Sequence, residues 1–149
     1  MHFLLTIEES LTDYVIYDAV VPNPTTVVVE KGKDIYKSSH CDSLIAIGGG
    51  SAMDSAKAIG ALVVNKNKTL GKMKGILKVR HKIPLLIAIP TTAGTGSEAT
   101  LAAVVMDALT RREANPLYSV PQLWGKKELE SIYYTVTDKE QNVESIIVI

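Results

Sequence analysis

A chain of 149 residues suits one modest domain, and 46% hydrophobic residues are enough for a globular core, which excludes wholesale disorder. Sixteen basic residues balance sixteen acidic ones, so no cationic field draws nucleic acid or anionic lipid. Cys41 is the only cysteine, which excludes an intrachain disulfide and a cysteine-based zinc site and suits a reducing cytoplasm.

His2-Phe3-Leu4-Leu5 lacks the cationic and cleavage features of a signal peptide. No apolar run reaches the roughly 18 residues of a membrane span. Tyr14-Val15-Ile16-Tyr17 is short, β-branched and aromatic, and reads as a strand. Val20-Val21-Pro22-Asn23-Pro24 reads as a loop, because each proline turns its predecessor away from helix. Thr25 to Ser38 follows; its charges and the Ile35-Tyr36 pair suit a helix and Val27-Val28-Val29 would fit a strand equally well, and the strand pattern that comes next decides for a helix.

Ser43-Leu44-Ile45-Ala46-Ile47 is a buried-strand pattern that stops at Gly48-Gly49-Gly50. A helix over Ala52 to Val64 is expected next, with Ser51 as N-cap and Asp54 completing a capping box. Asn65 to Lys82 reads as a polar loop holding a short helix around Gly71 to Leu77. Leu85-Leu86-Ile87-Ala88-Ile89 is a second continuous apolar strand, Pro90 to Glu98 a Thr/Gly loop, and Ala102 to Met106 a further strand. Continuous rather than alternating apolar runs argue for a parallel sheet with helices on both faces. Beyond it, Lys126 to Tyr134 reads as an amphipathic helix, and Ser145-Ile146-Ile147-Val148-Ile149 is strand-like without an assigned place.

Two loops carry the chemistry. Gly48-Gly49-Gly50-Ser51 lies between a strand and a helix start, where unpaired N–H groups and the helix dipole favour an anion. Glycines let a phosphate approach the backbone closely. The alternative is a tight turn that merely needs glycine. Asp54 would repel a phosphate; it either caps the helix or holds a ribose or nicotinamide group. Pro90-Thr91-Thr92-Ala93-Gly94-Thr95-Gly96-Ser97-Glu98 offers hydroxyls and free N–H groups after the next strand. It reads as the second wall of one cleft, against the alternative of an ordinary solvated connection.

Ile47 to Lys57, then Ile89 to Glu98, preceded by Pro22-Asn23-Pro24-Thr25, resembles the iron-containing (group III) alcohol dehydrogenases from about Tyr14 to Asp107. The resemblance implies an α/β, Rossmann-like domain over 1–107, incomplete here, and a remnant of the family's C-terminal end over 108–149 with a short helix. It implies NAD or NADP as cofactor, with Gly49, Gly50 and Ser51 at the pyrophosphate and Asp54 at the nicotinamide half. Thr91, Thr92, Thr95 and Ser97 would line the cofactor, and Asn23 would lie toward adenosine. The substrate would be a small alcohol or aldehyde.

The chain departs from that pattern in three places. Family members begin with a strand and helix for which Met1 to Asp13 are too short. The large helical domain expected after Asp107 is replaced by a jump to the family's C-terminal end. That domain would carry the iron ligands, one Asp and three His, and His2, His40 and His81 match none of them. The resemblance therefore implies an NAD(P)-dependent alcohol dehydrogenase by descent, with weak dinucleotide binding, much reduced or absent turnover, no metal site and no assigned catalytic residue; the alternatives are a non-catalytic nucleotide-binding module and a structural remnant whose loops bind nothing. An uncovered sheet edge predicts a homo-oligomer, with Ile146 to Ile149 pairing across it or folding back within one chain.

Overall fold

In the computed structural model, residues 13–74, 78–100 and 102–107 are described in full and 146–148 as backbone. The element order is β1 (Tyr14–Ile16), α1 (Thr26–Ser38), β2 (Ser43–Gly48), α2 (Gly50–Val64), a 3-10 turn (Leu70–Met73), β3 (Leu85–Pro90) and β4 (Ile146–Val148). The four strands form one parallel sheet in the order β1-β4-β2-β3. This is an α/β, Rossmann-like arrangement, as the continuous apolar runs predict.

The valine run of α1 is helical because its periodicity separates one face from the other: Val29, Gly32 and Tyr36 are buried, whereas Val27 is exposed. Thr25 caps the helix, its hydroxyl accepting from the Val28 N–H. The far end closes in a Schellman motif. The His40 N–H donates to the Lys37 carbonyl and the Cys41 N–H to the Tyr36 carbonyl, with His40 in the left-handed conformation at φ 54°.

Alternate residues of the strands divide the core. Leu44, Ala46 and Leu86 pack with Tyr17, just after β1, and with Val29, Tyr36, Met53 and Ile59 from the two helices. Ile45 packs with Tyr14, Ile47, Ile87 and Ile89 on the opposite side. Helices α1 and α2 also pack against each other: a side chain at Gly32 would collide with Ile59 Cδ1 and come within 3.0 Å of Tyr17 Cε1. Both described helices thus build one face of the sheet; a helical layer on the other face is not seen among the described residues.

Three expectations change. Ser51 is not the N-cap: α2 starts two residues earlier, at Gly50, and Gly49 is its N-cap, with no side-chain bond. Ala102 to Met106 is not a strand but an extended segment joined to Thr25 by one isolated bridge at Met106. Its polar groups are spent instead on side chains of α2 and on Pro24 and Thr26. In place of the short helix expected around Gly71 to Leu77 there is a 3-10 turn over Leu70–Met73, with Leu70 and Met73 buried; 75–77 lie outside the described residues.

The C-terminal apolar segment finds a definite place. Strand β4 lies between β1 and β2 within the same chain, in parallel to both. Of the two arrangements expected for it, the structure shows the one folded back. The helix expected over Lys126 to Tyr134, and the rest of 108–145, lie outside the described residues. No helix among the described residues is long and apolar enough to cross a membrane.

Candidate functional site

Strands β2 and β3 run side by side, so their last residues, Gly48 and Pro90, are register partners. The two loops therefore start from adjacent points on one sheet edge. The Thr91 N–H donates to the Gly48 carbonyl at 2.8 Å, which pins the start of the second loop to the first. Gly48 has φ 156°, close to extended. The first bond within α2 is Met53 N–H to Gly49 O, so the N–H groups of Gly50, Ser51 and Ala52 precede the helical ladder.

The loops meet at the glycines. A Cβ on Gly49 would lie 3.0 Å from Thr92 Oγ1, and one on Gly50 would lie 3.0 Å from Ser97 Oγ and 3.9 Å from Thr95 Cβ. The absence of side chains there is what lets the threonine loop come so close. That loop turns through Gly94 at φ 84° and Gly96 at φ 61°, left-handed conformations that favour glycine. Thr91, Thr92 and Thr95 are exposed, while Ser51 and Ser97 are half-buried. Gly49, Gly50, Thr92, Thr95 and Ser97 are thus brought together, with Ser51 and Thr91 flanking them. Asn23, at φ 57°, sits on the separate loop after β1.

Asp54 caps nothing. It lies one turn inside α2, buried, and its Oδ2 accepts the Val104 N–H at 3.1 Å. Its Oδ1 is 3.5 Å from Lys57 Nζ. Burial pushes the Asp54 carboxyl up from its usual range, against the opposing pull of the Val104 N–H and Lys57.

Lys57, which sequence reasoning gave no role, organises the site. Only 1% exposed, it donates to the Ser97 carbonyl, to Thr100 Oγ1 at 3.1 Å and to the Ala102 carbonyl at 2.8 Å. Burial pulls its pKa down, while Asp54 and then Glu98 act to hold it up. Ammonium and carboxylate together tie α2 to the threonine loop and to the segment behind it. The signal was present: Asp54 and Lys57 are the only charges in a helix otherwise built of small and apolar residues, at the i, i+3 spacing of one helix face. Charges in such a helix are kept by pairing.

The histidines show no such convergence. His40 and His81 are exposed on different loops, and His2 lies outside the described residues. No group of three His, Cys, Asp or Glu among the described residues could hold a metal ion.

The model of the family "iron-containing alcohol dehydrogenase" matches residues 2–123. The chain belongs to the iron-containing alcohol dehydrogenase family. Among related dehydrogenases, it is 41% identical over 104 residues to the choline dehydrogenase of Bacillus subtilis, a match covering 68% of this chain and 26% of that protein. It is 41% identical over 101 residues to the NAD-dependent methanol dehydrogenase of Bacillus methanolicus, again over 68% and 26%. The structure of the alcohol dehydrogenase from Oenococcus oeni superposes with a TM-score of 0.68 at 29% identity, covering 99% of this chain and 33% of that one. The chain thus matches only about a quarter of the length of these dehydrogenase relatives.

Proposed function

We propose that the two loops hold the pyrophosphate and ribose of NAD or NADP, and that the chain serves as the dinucleotide-binding part of an oxidoreductase acting on small alcohols or aldehydes. The observation that carries this reading is the approach of Gly49 and Gly50 to Thr92 and Ser97, which brings two loops together at adjacent strand ends. The fit is chemical as well as spatial. Backbone N–H groups at the start of α2 suit phosphate oxygens, and the hydroxyls of Ser51, Thr91, Thr92, Thr95 and Ser97 suit ribose and amide groups. Two relatives are named for alcohol oxidation, one of them NAD-dependent.

In this reading the nucleotide, when bound, supplies the hydride acceptor. The chain's residues bind and orient it. The Lys57–Asp54 pair acts behind the loops by fixing Ser97 and Val104. Asn23 is the candidate contact on the adenosine side. Iron is a different matter: the described histidines diverge, so the described residues do not fit the family's metal, and the step that activates the alcohol is not assigned to them. The reading includes assembly of identical copies, since β1 and β3 are the outer strands of the described sheet.

Calorimetric titration of the full chain with NAD⁺ and NADP⁺ tests the proposal. Saturable binding is expected in the native protein and its loss in Gly49→Val, whose Cβ alone would stand 3.0 Å from Thr92 Oγ1. Gly71→Ala, with nothing nearer than 4.0 Å, is the control and should bind normally. Absence of binding by the native protein to either nucleotide rejects the reading.

A further inference from the structure

The sheet contains a strand from an unexpected part of the sequence. β1 and β2 follow each other along the chain, yet they do not pair. Between them lies β4, whose Ile146, Ile147 and Val148 pair with Tyr14, Val15 and Ile16 on one side and with Ser43, Leu44 and Ile45 on the other. In one common doubly wound sheet the strand order is 2-1-3-4, and the inner place belongs to the strand that comes first in sequence. With β1 as strand 2, β2 as strand 3 and β3 as strand 4, β4 occupies the place of strand 1 although it comes last.

We propose that the gap between β1 and β2 is a strand-accepting site, and that the segment Ile146–Val148 is the ligand it takes, in parallel and from the same chain. The chemistry of the fit is on both sides. The gap's walls are Tyr14-Val15-Ile16 and Ser43-Leu44-Ile45, and each wall presents a row of N–H and C=O groups toward it. A strand bonded on both sides and flanked by apolar walls calls for a short continuous β-branched run, which Ile146-Ile147-Val148-Ile149 is. Among the described strands β1 pairs only with β4, so its place in the sheet depends on the inserted strand. β2 does not share that dependence, because its six-residue ladder with β3 stands without β4. The inserted strand also runs toward the loop edge: Val148 is the partner of Ile45, three residues before Gly48.

Hydrogen exchange on the full chain tests this. Ile147→Pro removes a ladder N–H from the middle of the inserted strand. The expected result is loss of amide protection at residues 14–16, a decrease at 43–45, and retained protection along β3. A synthetic peptide of residues 144–149 should restore protection at 14–16 in that variant and change nothing in the native chain, whose gap is filled. Unchanged protection in Ile147→Pro, or failure of the peptide to restore it, overturns the proposal. A second measurement does not depend on that variant folding. Val15→Cys with Ile147→Cys, in a Cys41→Ser background, places two thiols at a register pair. An intramolecular disulfide in the full chain supports the proposal; disulfide-linked dimers, or no disulfide under oxidising conditions, overturn it.

Discussion

Lys57 and Asp54 face each other at 3.5 Å in the buried part of α2, and each holds a different point of the segment that follows the threonine loop. The ammonium takes the Ala102 carbonyl, and the carboxylate takes the Val104 N–H. That pairing explains why 102–106 runs extended without joining the sheet: its backbone partners come from helix side chains.

Removing the ammonium should therefore be costly. Lys57→Met keeps the volume but strands the Asp54 charge and leaves the Ser97 and Ala102 carbonyls only the single Thr100 hydroxyl as donor. Breaking a buried pair from one side costs roughly 3–5 kcal/mol, which a urea titration would show as a large fall in midpoint. Asp54→Asn combined with Lys57→Met should recover part of the loss, because no unpaired charge remains. Equal stability of Lys57→Met and the native chain would contradict the clamp.

The same pair sets a pH dependence. Burial raises the pKa of Asp54, so this group's contribution is fully present below its usual 3.8 and is lost as pH rises through the folded value. Lys57 has its folded pKa lowered, so its cost is full below that value and shrinks as pH climbs toward 10.5. In Asp54→Asn the lysine loses its main support, and the relief begins at lower pH. The stability of this variant should rise between neutral pH and 10.5 more steeply than that of the native protein. Parallel stability curves for the two would refute the assignment.

Gly32 of α1 packs against Ile59 of α2. A methyl there would collide with Ile59 Cδ1 and crowd Tyr17. Although alanine favours helix, Gly32→Ala should destabilise by about 1–3 kcal/mol through overpacking. Pairing it with Ile59→Val, which removes the colliding carbon, should return much of that. A stabilised Gly32→Ala, read by thermal melting, would mean that the helices are not in contact as described.

His40 holds a left-handed backbone at the C-terminus of α1, a position where glycine is the usual occupant. The conformation costs a residue with a Cβ roughly 1–2 kcal/mol, less for histidine than for bulky residues. His40→Gly should raise the melting temperature. It should leave nucleotide binding unchanged, since His40 lies after α1 and not on either loop.

The sequence made β2, β3 and the two loops after them legible. Continuous apolar runs such as Leu44 to Ile47 and Leu85 to Ile89 end abruptly at glycine and threonine, and such runs suit a parallel strand. Helix α1 was legible only through the strand that follows it, since its valines fit a strand equally well; the buried face of Val29, Gly32 and Tyr36 emerged with the structure. The start of α2 was misplaced because a glycine can cap a helix through its backbone, leaving no side-chain signature at Gly49. Ala102 to Met106 has the composition of a strand, and only its distant partners Asp54, Lys57 and Thr26 decide otherwise.

By itself the sequence marked β2, α2 and β3 and the glycine-bearing loop that follows each of the two strands, since these depend on local composition and backbone freedom. Tertiary structure alone decided which strands adjoin, that Asp54 turns to Val104 and Lys57, and that the last apolar run enters the sheet between β1 and β2. Pairing and burial link residues far apart along the chain, and no local pattern carries the identity of a distant partner.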